Sequence, residues 1–510
     1  MHQAIAPAPA SLATPFSASP TGDLGPLVGV VDIGSNSVRL VVFEDGVRSP
    51  DYVFNEKIIC KLGDGLGETR RLNPDGKRRA EAALRRFAAL ARGMGVVETL
   101  AIGTAALRDA EDGPAFRDWI EREVGLDVRV ASGREEATLA AEGAMFGWPN
   151  LTGVVADLGG SSLELARVRD GAIEAAVTSP AGHLRLTDPA SDEARRALAA
   201  LTAAARPFAD PPGEEPRRLV LVGGAWRALA KAHMTLEDYR FHVLQGYEMT
   251  KAEAEALCGW IAKASPEDLK KTAGVSTSRV SSLAAGATAL ARLVDALDPD
   301  LIGLSAFGVR EGLIYERMGH KLRAEDPLIA AARRIERRSA RSPGFGEELF
   351  RWMRPVVDLL DPQKRRLAEA VCLLHDMNWR SHPDFRATAC FGAVARANLG
   401  GVGHRGRLFM CAALVHRYKG AGQDREANAA MKRLSPEALA EAETLGRAAR
   451  LGAMLTGSIQ GTLTDCPLTL EGETLRLTFP PHAAEYAGER VRRRLQALAD
   501  AMGKEAEFVA

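Results

Sequence analysis

Two short segments of the sequence carry residue types that bind phosphate. They read DIGSNSVRL from Asp32 and DLGGSSLEL from Asp157. A tight Gly/Ser turn aims several backbone N–H groups and hydroxyls at one point, which is the arrangement that cradles phosphate oxygens. One such turn is more often a plain hairpin, but two equivalent copies favour a phosphate site. The candidate phosphate-binding residues in the two turns are Gly34, Ser35, Asn36, Ser37, Gly159, Gly160, Ser161 and Ser162.

The elements that must position these turns follow from the surrounding pattern. β-branched residues on both sides of each turn predict a strand, a turn and a second strand. Helical patterns follow at 77–92 and 279–297, so the chain is predicted to form two α/β halves whose loops converge on one cleft. A third turn, Gly223-Gly224, follows a strand pattern and adds two phosphate-binding candidates. Beyond residue 312, Arg- and Leu-rich helical patterns predict a separate α domain.

The composition is that of a folded protein with several cores, with 510 residues of which 46% are hydrophobic and 26% charged. Acidic and basic residues balance at 66 each, so attraction to a polyanion requires local segregation of charge, and no nucleic-acid partner is expected. Six scattered cysteines without a CxxC pair argue against a zinc ribbon or a disulfide scaffold and fit a reducing cytoplasm.

The ends of the chain and its apolar runs bear on location. Residues 1–26 contain no Lys or Arg and lack the features of a secretory signal, so we expect a disordered tail. No uncharged apolar run approaches the about eighteen residues that a membrane span needs, and no membrane association is expected. The alternating pattern at 468–479, followed by a charged helical pattern, predicts a small terminal α/β subdomain.

Four further segments narrow the comparison with known families: AIGTAALRDAEDG, VASGREEATLAAEG, LVGGAWRALA and LSAFGVREGLIY. Together with the hairpins, they resemble the exopolyphosphatase and guanosine pentaphosphate phosphohydrolase family, of the actin, hexokinase and acetate kinase superfamily. The resemblance covers about 27–320 and is looser over the helical remainder, which is similar to the long bacterial form.

This resemblance implies an α/β fold with two duplicated ribonuclease H-like (actin-like ATPase) domains facing a cleft. We place them at 27–150 and 151–320. An α-helical HD-like domain is expected at 321–450, and the small C-terminal α/β subdomain is expected at 451–510.

The resemblance also implies roles for individual residues. Removal of a terminal phosphoryl group needs cations and N–H donors on its oxygens and a group that positions water. In SGREEA, Glu136 is expected to hold or deprotonate the attacking water, whereas for Glu135 we prefer a role in starting a helix. Arg108 is expected to bind phosphate. Asp157 and Glu164 are expected to hold Mg²⁺, which prefers hard oxygen ligands.

The two hairpins differ at one equivalent position, where the first has Arg39 and the second Glu164. One copy therefore offers a cation for phosphate and the other a carboxylate for metal. The family commonly has a third glycine where this chain has Ser161, so we expect altered loop geometry without loss of function. Two simpler interpretations stay open: Asp157 caps its own turn, and Arg108 forms a surface salt bridge.

The helical region offers two further hypotheses. His375-Asp376 invites comparison with metal-dependent HD phosphohydrolases, but the nearest upstream histidine is His320 in the expected linker, so we expect a domain that has lost its metal. Between 321 and 420 there are 19 Lys and Arg against 10 Asp and Glu. We interpret one basic helix face as a polyphosphate track, with a locally paired, solvated face as the alternative. This face comprises Arg333, Arg334, Arg337 and Arg338.

These interpretations predict an exopolyphosphatase that processively hydrolyses the terminal phosphate of inorganic polyphosphate by Mg²⁺-assisted attack of water positioned by Glu136. The alternative is a guanosine pentaphosphate 5′-phosphohydrolase of the stringent response. A kinase or a non-enzymatic nucleotide sensor of the same superfold ranks below both, and the Gly223-Gly224 turn, which resembles an adenosine motif, keeps the kinase open. The resemblance further implies a homodimer, and a cytoplasmic location is expected.

Overall fold

The computed structural model describes residues 25–210, 213, 216–273, 277–418 and 424–510. Nearly all of the predicted tail at 1–26 lies outside these residues. The described chain contains three β-sheets, of five, six and three strands, surrounded by helices.

The first sheet has the strand order β3-β2-β1-β4-β5, in which β1 is antiparallel to β2 and parallel to β4. Its strands are β1 (Leu27–Ile33), β2 (Ser37–Glu44), β3 (Tyr52–Ile59), β4 (Val96–Gly103) and β5 (Val128–Val130). The helices around it are α1 (Leu66–Thr69), α2 (Pro74–Gly93), α3 (Ala105–Asp109) and α4 (Gly113–Val124). Because both faces of β1 are covered, nearly every residue in it is buried.

The second sheet has the order β10-β11-β9-β6-β7-β8 and repeats the first, since β6 is antiparallel to β7 and parallel to β9. Its strands are β6 (Gly153–Leu158), β7 (Leu163–Arg169), β8 (Ala172–Ser179), β9 (Arg218–Val222), β10 (Glu248–Thr250) and β11 (Leu301–Leu304). The helices around it are α5 (Gly133–Gly147), α6 (Asp192–Ala205), α7 (Gly224–Leu236), α8 (Lys251–Lys263), α9 (Pro266–Ala273) and α10 (Thr277–Leu297). The two predicted α/β halves are confirmed.

Among the described residues, one helix is long and apolar enough to cross a membrane. It is the 280–297 stretch of α10, and half of it is buried inside the structure. Its leucines Leu283, Leu290 and Leu293 belong to the core of the second domain. This is the behaviour of a core helix.

Two helices each pack on the sheet of the other domain, not on the sheet of the domain to which the predicted boundaries assign them. α5 precedes the predicted boundary at 150, yet it packs on β6, β7 and β8 of the second sheet. The helix α11 (Val309–Arg317) precedes the boundary at 320, yet it packs on β1 of the first sheet and on α5. A Cβ on Gly143 would overlap the backbone of Gly308, so the two helices touch through their main chains.

The remaining chain forms a helical domain with a small sheet. Its helices are α12 (His320–Ala324), α13 (Pro327–Ser339), α14 (Phe345–Trp352), α15 (Arg354–Val357), α16 (Pro362–Leu374), α17 (Arg386–Arg396), α18 (His404–Tyr418), α19 (Arg425–Met431), α20 (Pro436–Leu455) and α21 (Glu489–Met502). The sheet contains β12 (Leu468–Glu471), β13 (Thr474–Thr478) and β14 (Glu505–Val509). The segment expected as a small α/β subdomain, 451–510, contains this sheet and α21, and its buried residues share one hydrophobic core with the other helices.

The His375-Asp376 pair is buried in this domain and has protein partners. The imidazole lies 2.7 Å from the Cys372 carbonyl through Nδ1 and 3.3 Å from the Ser458 hydroxyl through Nε2. Asp376 accepts two hydrogen bonds from the guanidinium of Arg341, both at 2.8 Å. Burial lowers the pKa of His375 to about 3. These contacts explain the pair as part of the core.

Two of the four arginines interpreted as a polyphosphate track instead join the helical domain to the first domain. Arg334 is only 4% exposed and donates to Asp51 at 2.7 Å. Arg338 donates to Asp51 at 2.6 Å and to Glu44 at 2.8 Å. Because these guanidinium groups are already neutralised at a domain interface, they do not form a free face for a polyanion.

A third arginine of that face is paired within the helical domain. Arg333 donates to Glu347 and Glu369, both at 3.1 Å. Arg337 is exposed and is the one member of the set without an ion pair among the described residues. The interpretation of α13 as a track is therefore corrected: three of its four arginines are paired with carboxylates, two of them with Glu44 and Asp51 of the first domain.

Candidate active site

The two predicted phosphate turns have the same backbone geometry. In the first, the amide of Gly34 donates to the Ser37 carbonyl at 3.0 Å, and in the second the amide of Gly159 donates to the Ser162 carbonyl at 3.0 Å. Each bond closes a four-residue turn between two antiparallel strands. The repeated geometry leaves the small residues at the tip of each turn beside the cleft.

The tips of the two turns meet. The hydroxyl oxygens of Ser35 and Ser161 lie 3.3 Å apart, although the residues are 126 positions apart in the chain. Each turn is supported by the segment after the third strand of its domain: the amide of Gly63 donates to the Ser35 carbonyl at 2.8 Å, and that of Leu184 to the Gly160 carbonyl at 2.9 Å. The serine that replaces the usual third glycine therefore contacts the opposite domain.

The strands that flank the turns oppose Asp32 to Arg39 in the first hairpin and Asp157 to Glu164 in the second. Asp32 accepts a hydrogen bond at 3.1 Å from Arg310, which reaches across from α11. Burial and the nearby Arg310 lower the pKa of Arg39 to about 10. Arg39 and Arg310 therefore bring two cations close to the first hairpin.

The second hairpin holds two carboxylates that lack a counter-charge in hydrogen-bond contact. Glu164 is 3% exposed and accepts a hydrogen bond from the Thr178 hydroxyl at 3.0 Å. Burial, together with the nearby Glu136, raises the pKa of Asp157 to about 7 and that of Glu164 well above its usual range. No arginine or lysine of the described chain forms an ion pair with either carboxylate. A hard divalent cation fits this donor set, because it would compensate the negative charge of both.

The two neighbouring glutamates at the start of α5 have different surroundings. Glu135 accepts a hydrogen bond from the Ser132 amide at 2.9 Å while the Ser132 hydroxyl accepts one from the Glu135 amide, which is a capping box. Glu135 also pairs with Arg129 at the surface. Glu136 is 7% exposed and accepts a hydrogen bond from Arg108 at 2.5 Å. The structure thus gives Glu135 the helix-starting contacts and leaves the Glu136 carboxylate in the cleft.

The electrostatic setting of Glu136 suits proton transfer. Burial raises its pKa to about 7 against the opposing effect of Arg108, and the negative charges of Asp32 and Asp109 act in the same direction as burial. A general base is most effective when its pKa lies near the working pH. Arg108 is held in place by the Ala131 carbonyl at 3.0 Å, so its contact with Glu136 is part of a built site and not a loose surface pair.

Two arginines at the site were not among the sequence-based candidates. Arg227, in the first turn of α7, donates to the Ala306 carbonyl at 2.8 Å and acts electrostatically on Asp157. Arg310, in the first turn of α11, pairs with Asp32, but its buried Nε has no partner within the described chain. The signal available in the sequence was the position of each arginine within the first turn of a helix that follows a glycine.

The third predicted turn borders the second hairpin. Gly223 has a φ of 119°, and a Cβ there would lie 3.0 Å from Oδ1 of Asp157. A side chain at this position would therefore press on the carboxylate. Gly224 is the first residue of α7, which brings the N-terminus of that helix to the cleft.

The comparisons with known proteins agree with this geometry. Residues 41–321 match the Ppx/GppA phosphatase family and residues 328–509 match the family described as exopolyphosphatase, C-terminal. Exopolyphosphatase 1 of Mycobacterium tuberculosis is 27% identical over 308 residues, which cover 57% of this chain and 88% of that protein.

A second relative and a solved structure extend the comparison. Guanosine-5′-triphosphate,3′-diphosphate pyrophosphatase of Aeromonas hydrophila is 25% identical over 371 residues, which cover 69% of this chain and 73% of that protein. The crystal structure of the Aquifex aeolicus Ppx/GppA family member superposes with a TM-score of 0.50 at 24% identity. It covers 57% of this chain and 97% of that one, and it supports the actin-like fold.

The first family match spans more than half of the chain and contains Arg108, Glu136, the second hairpin and Arg310, whereas the first turn and Arg39 lie just before it. The predicted enzyme class, a phosphoric anhydride hydrolase, is confirmed by this match. The chain belongs to the Ppx/GppA phosphatase family.

Proposed function

We propose that this chain is an exopolyphosphatase that removes the terminal phosphate of inorganic polyphosphate by attack of water. The observation that carries the proposal is the buried Glu136 carboxylate with its raised pKa, which lies beside Arg108 and acts electrostatically on Asp157 and Glu164. A single positioned carboxylate among phosphate-binding groups suits water as the acceptor of the phosphoryl group.

The residues of the cleft divide the work. The amides and hydroxyls of the two turns bind the oxygens of the terminal phosphate, and Arg39, Arg227 and Arg310 offset its negative charge. Glu136 accepts a proton from water as the water oxygen forms a bond to phosphorus. The bridging P–O bond breaks, and the products are orthophosphate and a chain shortened by one unit.

The contact between Arg108 and Glu136 has a role in this scheme. In the present geometry the guanidinium of Arg108 donates a hydrogen bond to the carboxylate of Glu136, the group that has to receive a proton. A terminal phosphate in the cleft offers Arg108 a stronger anionic partner, so its arrival would release Glu136 to bind water. Substrate binding and activation of the base are thereby linked.

Phosphatases of this family are generally dependent on a divalent metal. We propose Mg²⁺ as that metal, with Asp157 and Glu164 as the residues that would hold it. When bound, Mg²⁺ supplies positive charge to the phosphoryl oxygens. Without it, ionised carboxylates at these two positions would repel the anionic substrate, and burial already disfavours their ionised forms.

Guanosine pentaphosphate is the second candidate substrate, because its 5′ end presents the same terminal phosphate. It is favoured by the relative from Aeromonas hydrophila, whose match reaches 371 residues against 308 for the mycobacterial exopolyphosphatase. Processive release and a homodimer belong to the same proposal and rest on the resemblance, and a cytoplasmic location rests on the scattered cysteines.

The proposal is tested by orthophosphate release from polyphosphate, guanosine pentaphosphate and ATP, compared as kcat/KM. We expect polyphosphate to be the preferred substrate. Glu136→Gln is expected to lower turnover about 100-fold or more at nearly unchanged affinity, which is the usual scale for a positioned acid or base.

Glu135→Gln is the matched control, because it removes the neighbouring carboxylate and keeps a residue that supports the helix start. It should change turnover by less than about threefold. Equal losses in both variants would assign the effect to α5 folding, and near wild-type turnover in Glu136→Gln would place the base elsewhere. Preference for guanosine pentaphosphate would select the second candidate.

A further inference from the structure

A small cavity in the helical domain is lined by three arginines and two uncharged residues. It has a volume of about 120 Å³ and lies where α18, α20 and α21 meet. Its lining consists of His416, Arg447, Arg450, Arg494 and Ala497. None of these three helices carries a residue of the candidate active site, so the cavity is a separate feature of the molecule.

The arginines of the cavity differ in how well they are paired. Arg447 donates to Glu443 at 2.5 Å and to the Ala497 carbonyl at 2.9 Å, which fixes its side chain. For Arg450 and Arg494, the described part of the chain supplies neither a carboxylate within ion-pair distance nor a hydrogen-bond acceptor. Three guanidinium groups therefore share one carboxylate, which leaves two positive charges uncompensated at the cavity.

The packing of the helices holds these charges together. A Cβ on Gly446 would overlap the Ala413 carbonyl and approach the side chain of His416, so α18 and α20 touch through their backbones at this point. Leu445 of α20 and Leu498 of α21 are fully buried in the same core. The packed helices thus hold the backbone positions of the arginines close together.

The positive charge on Arg450 is destabilised at this cavity. Burial, together with repulsion from Arg494, Arg417 and Arg447, lowers its pKa to about 10. Burial also lowers the pKa of His416, so its imidazole is neutral near pH 7 and offers one N–H donor. An anion in the cavity would relieve the repulsion and supply the missing acceptors.

We propose that this cavity binds a phosphate-class oxyanion between Arg450, Arg494 and the fixed guanidinium of Arg447. A single water needs roughly 10–15 Å³ of such space, so about 120 Å³ accommodates a tetrahedral oxyanion with its nearest waters. Guanidinium groups bind phosphate oxygens through paired, charge-assisted hydrogen bonds. Free inorganic phosphate and a phosphoryl unit of a longer chain both present this chemistry, and binding of either does not require that the chain hydrolyse polyphosphate.

The test is calorimetric titration of the full chain with inorganic phosphate at fixed ionic strength. The double variant Arg450→Gln with Arg494→Gln is compared with wild type and with Arg490→Gln. The last variant is the matched control, because it removes an exposed arginine of the same helix α21 outside the cavity. We expect the double variant to lose one phosphate site or to bind it at least tenfold more weakly, and the control to bind as wild type does.

Folding is checked by the thermal midpoint in chloride. Because the double variant removes mutually repelling charges, its midpoint in chloride should not fall, while the rise that phosphate produces in wild type should be reduced. Should the double variant lose its cooperative transition, the single variant Arg494→Gln takes its place with a smaller expected loss.

The same three proteins titrated with long-chain polyphosphate distinguish the two sources. If the double variant also loses affinity for long-chain polyphosphate, the ligand of the cavity is a phosphoryl unit of a chain. If its loss is confined to inorganic phosphate, the ligand is the free ion. Either result supports the oxyanion site. Identical phosphate isotherms for wild type and the double variant, or equal losses in Arg490→Gln, would overturn it.

Discussion

Two charged regions of the molecule differ in whether their charged side chains form ion pairs. At the interface between α13 and the first domain, Arg334 and Arg338 meet Glu44 and Asp51 at distances of 2.6 to 2.8 Å. In the cleft, the two carboxylates of the second hairpin oppose each other in register, and neither forms an ion pair with an arginine or lysine of the described chain. The two interface arginines have carboxylate partners within the described chain, whereas the two cleft carboxylates have no cationic hydrogen-bond partner there.

The difference teaches how to separate structural charges from functional ones. Burial and the nearby Glu136 raise the pKa values of Asp157 and Glu164, which is a cost that a folded protein does not need for stability. The interface arginines form a network whose members neutralise one another. A buried charge that lacks its partner within the chain therefore points to a ligand, and a matched one points to packing.

Removal of one interface charge should produce the largest effect on stability. Arg334→Gln leaves Asp51 and Glu44 with reduced compensation at a buried site, so we expect a loss of about 3 kcal/mol in the free energy of unfolding, measured by urea denaturation. Arg333→Gln, at an exposed pair, should cost less than about 1 kcal/mol. Equal costs for both variants would remove the distinction between buried and exposed pairs.

Changes in the second hairpin should alter metal use and leave stability nearly unchanged. Asp157→Asn and Glu164→Gln each remove a hard anionic ligand, so each should raise the Mg²⁺ concentration for half-maximal activity and lower turnover by about 100-fold. Asp170→Asn, in the distant turn after β7, is the matched control and should titrate as wild type does. An unchanged Mg²⁺ titration in both cleft variants would show that neither carboxylate handles metal.

The buried His375 of the helical domain gives a pH-dependent test of the contrast between structural and functional groups. The pKa of His375 falls from its usual range near 6.5 to about 3 on folding, so the unfolded chain binds a proton that the folded chain does not. Stability is therefore complete above about pH 6.5 and is lost as the pH falls toward 3.

The thermal midpoint between pH 7.5 and pH 5 measures this loss. His375→Gln should flatten its pH dependence in part, because the buried His404, whose pKa is lowered to about 4, contributes in the same direction. His382→Gln, at an exposed position, should leave the dependence as it is in wild type. An unaltered slope in His375→Gln would show that this histidine is not the group that titrates.

The smallest effect is expected at the exposed arginine of α13. Arg337→Gln removes a solvated charge, so its free energy of unfolding should change by less than about 0.5 kcal/mol and its KM for long polyphosphate by less than about twofold. Denaturation and initial-rate kinetics check both values. A large rise in KM for the long chain alone would restore a polyanion contact on this face.

Local patterns were sufficient to predict the two hairpins and the terminal hairpin at 468–479. Alternation of β-branched residues and the Gly/Ser turns are properties of short segments, and the structure has strands and turns at these places. The equivalence of Arg39 and Glu164 also follows from the pattern, and the structure adds that they lie opposite Asp32 and Asp157 in their hairpins.

The errors arose where the partner lies far away in the chain. Asp51 is more than 280 positions from Arg334, and no periodicity along α13 reveals it. The exchange of α5 and α11 between the two sheets is likewise a property of tertiary packing. Arg227 was missed because its distance to Asp157 depends on how α7 is oriented relative to the second hairpin.

The placement of α5 has a consequence for how the site is assembled. The helix packs on the second sheet, and its Leu139 and Phe146 also share a hydrophobic core with strands of the first sheet. Glu136 at its start is therefore held at the seam between the two domains, where it contacts Arg108 of the first domain and acts electrostatically on Asp157 and Glu164 of the second. Correct docking of the two domains is thus a condition for assembling the site.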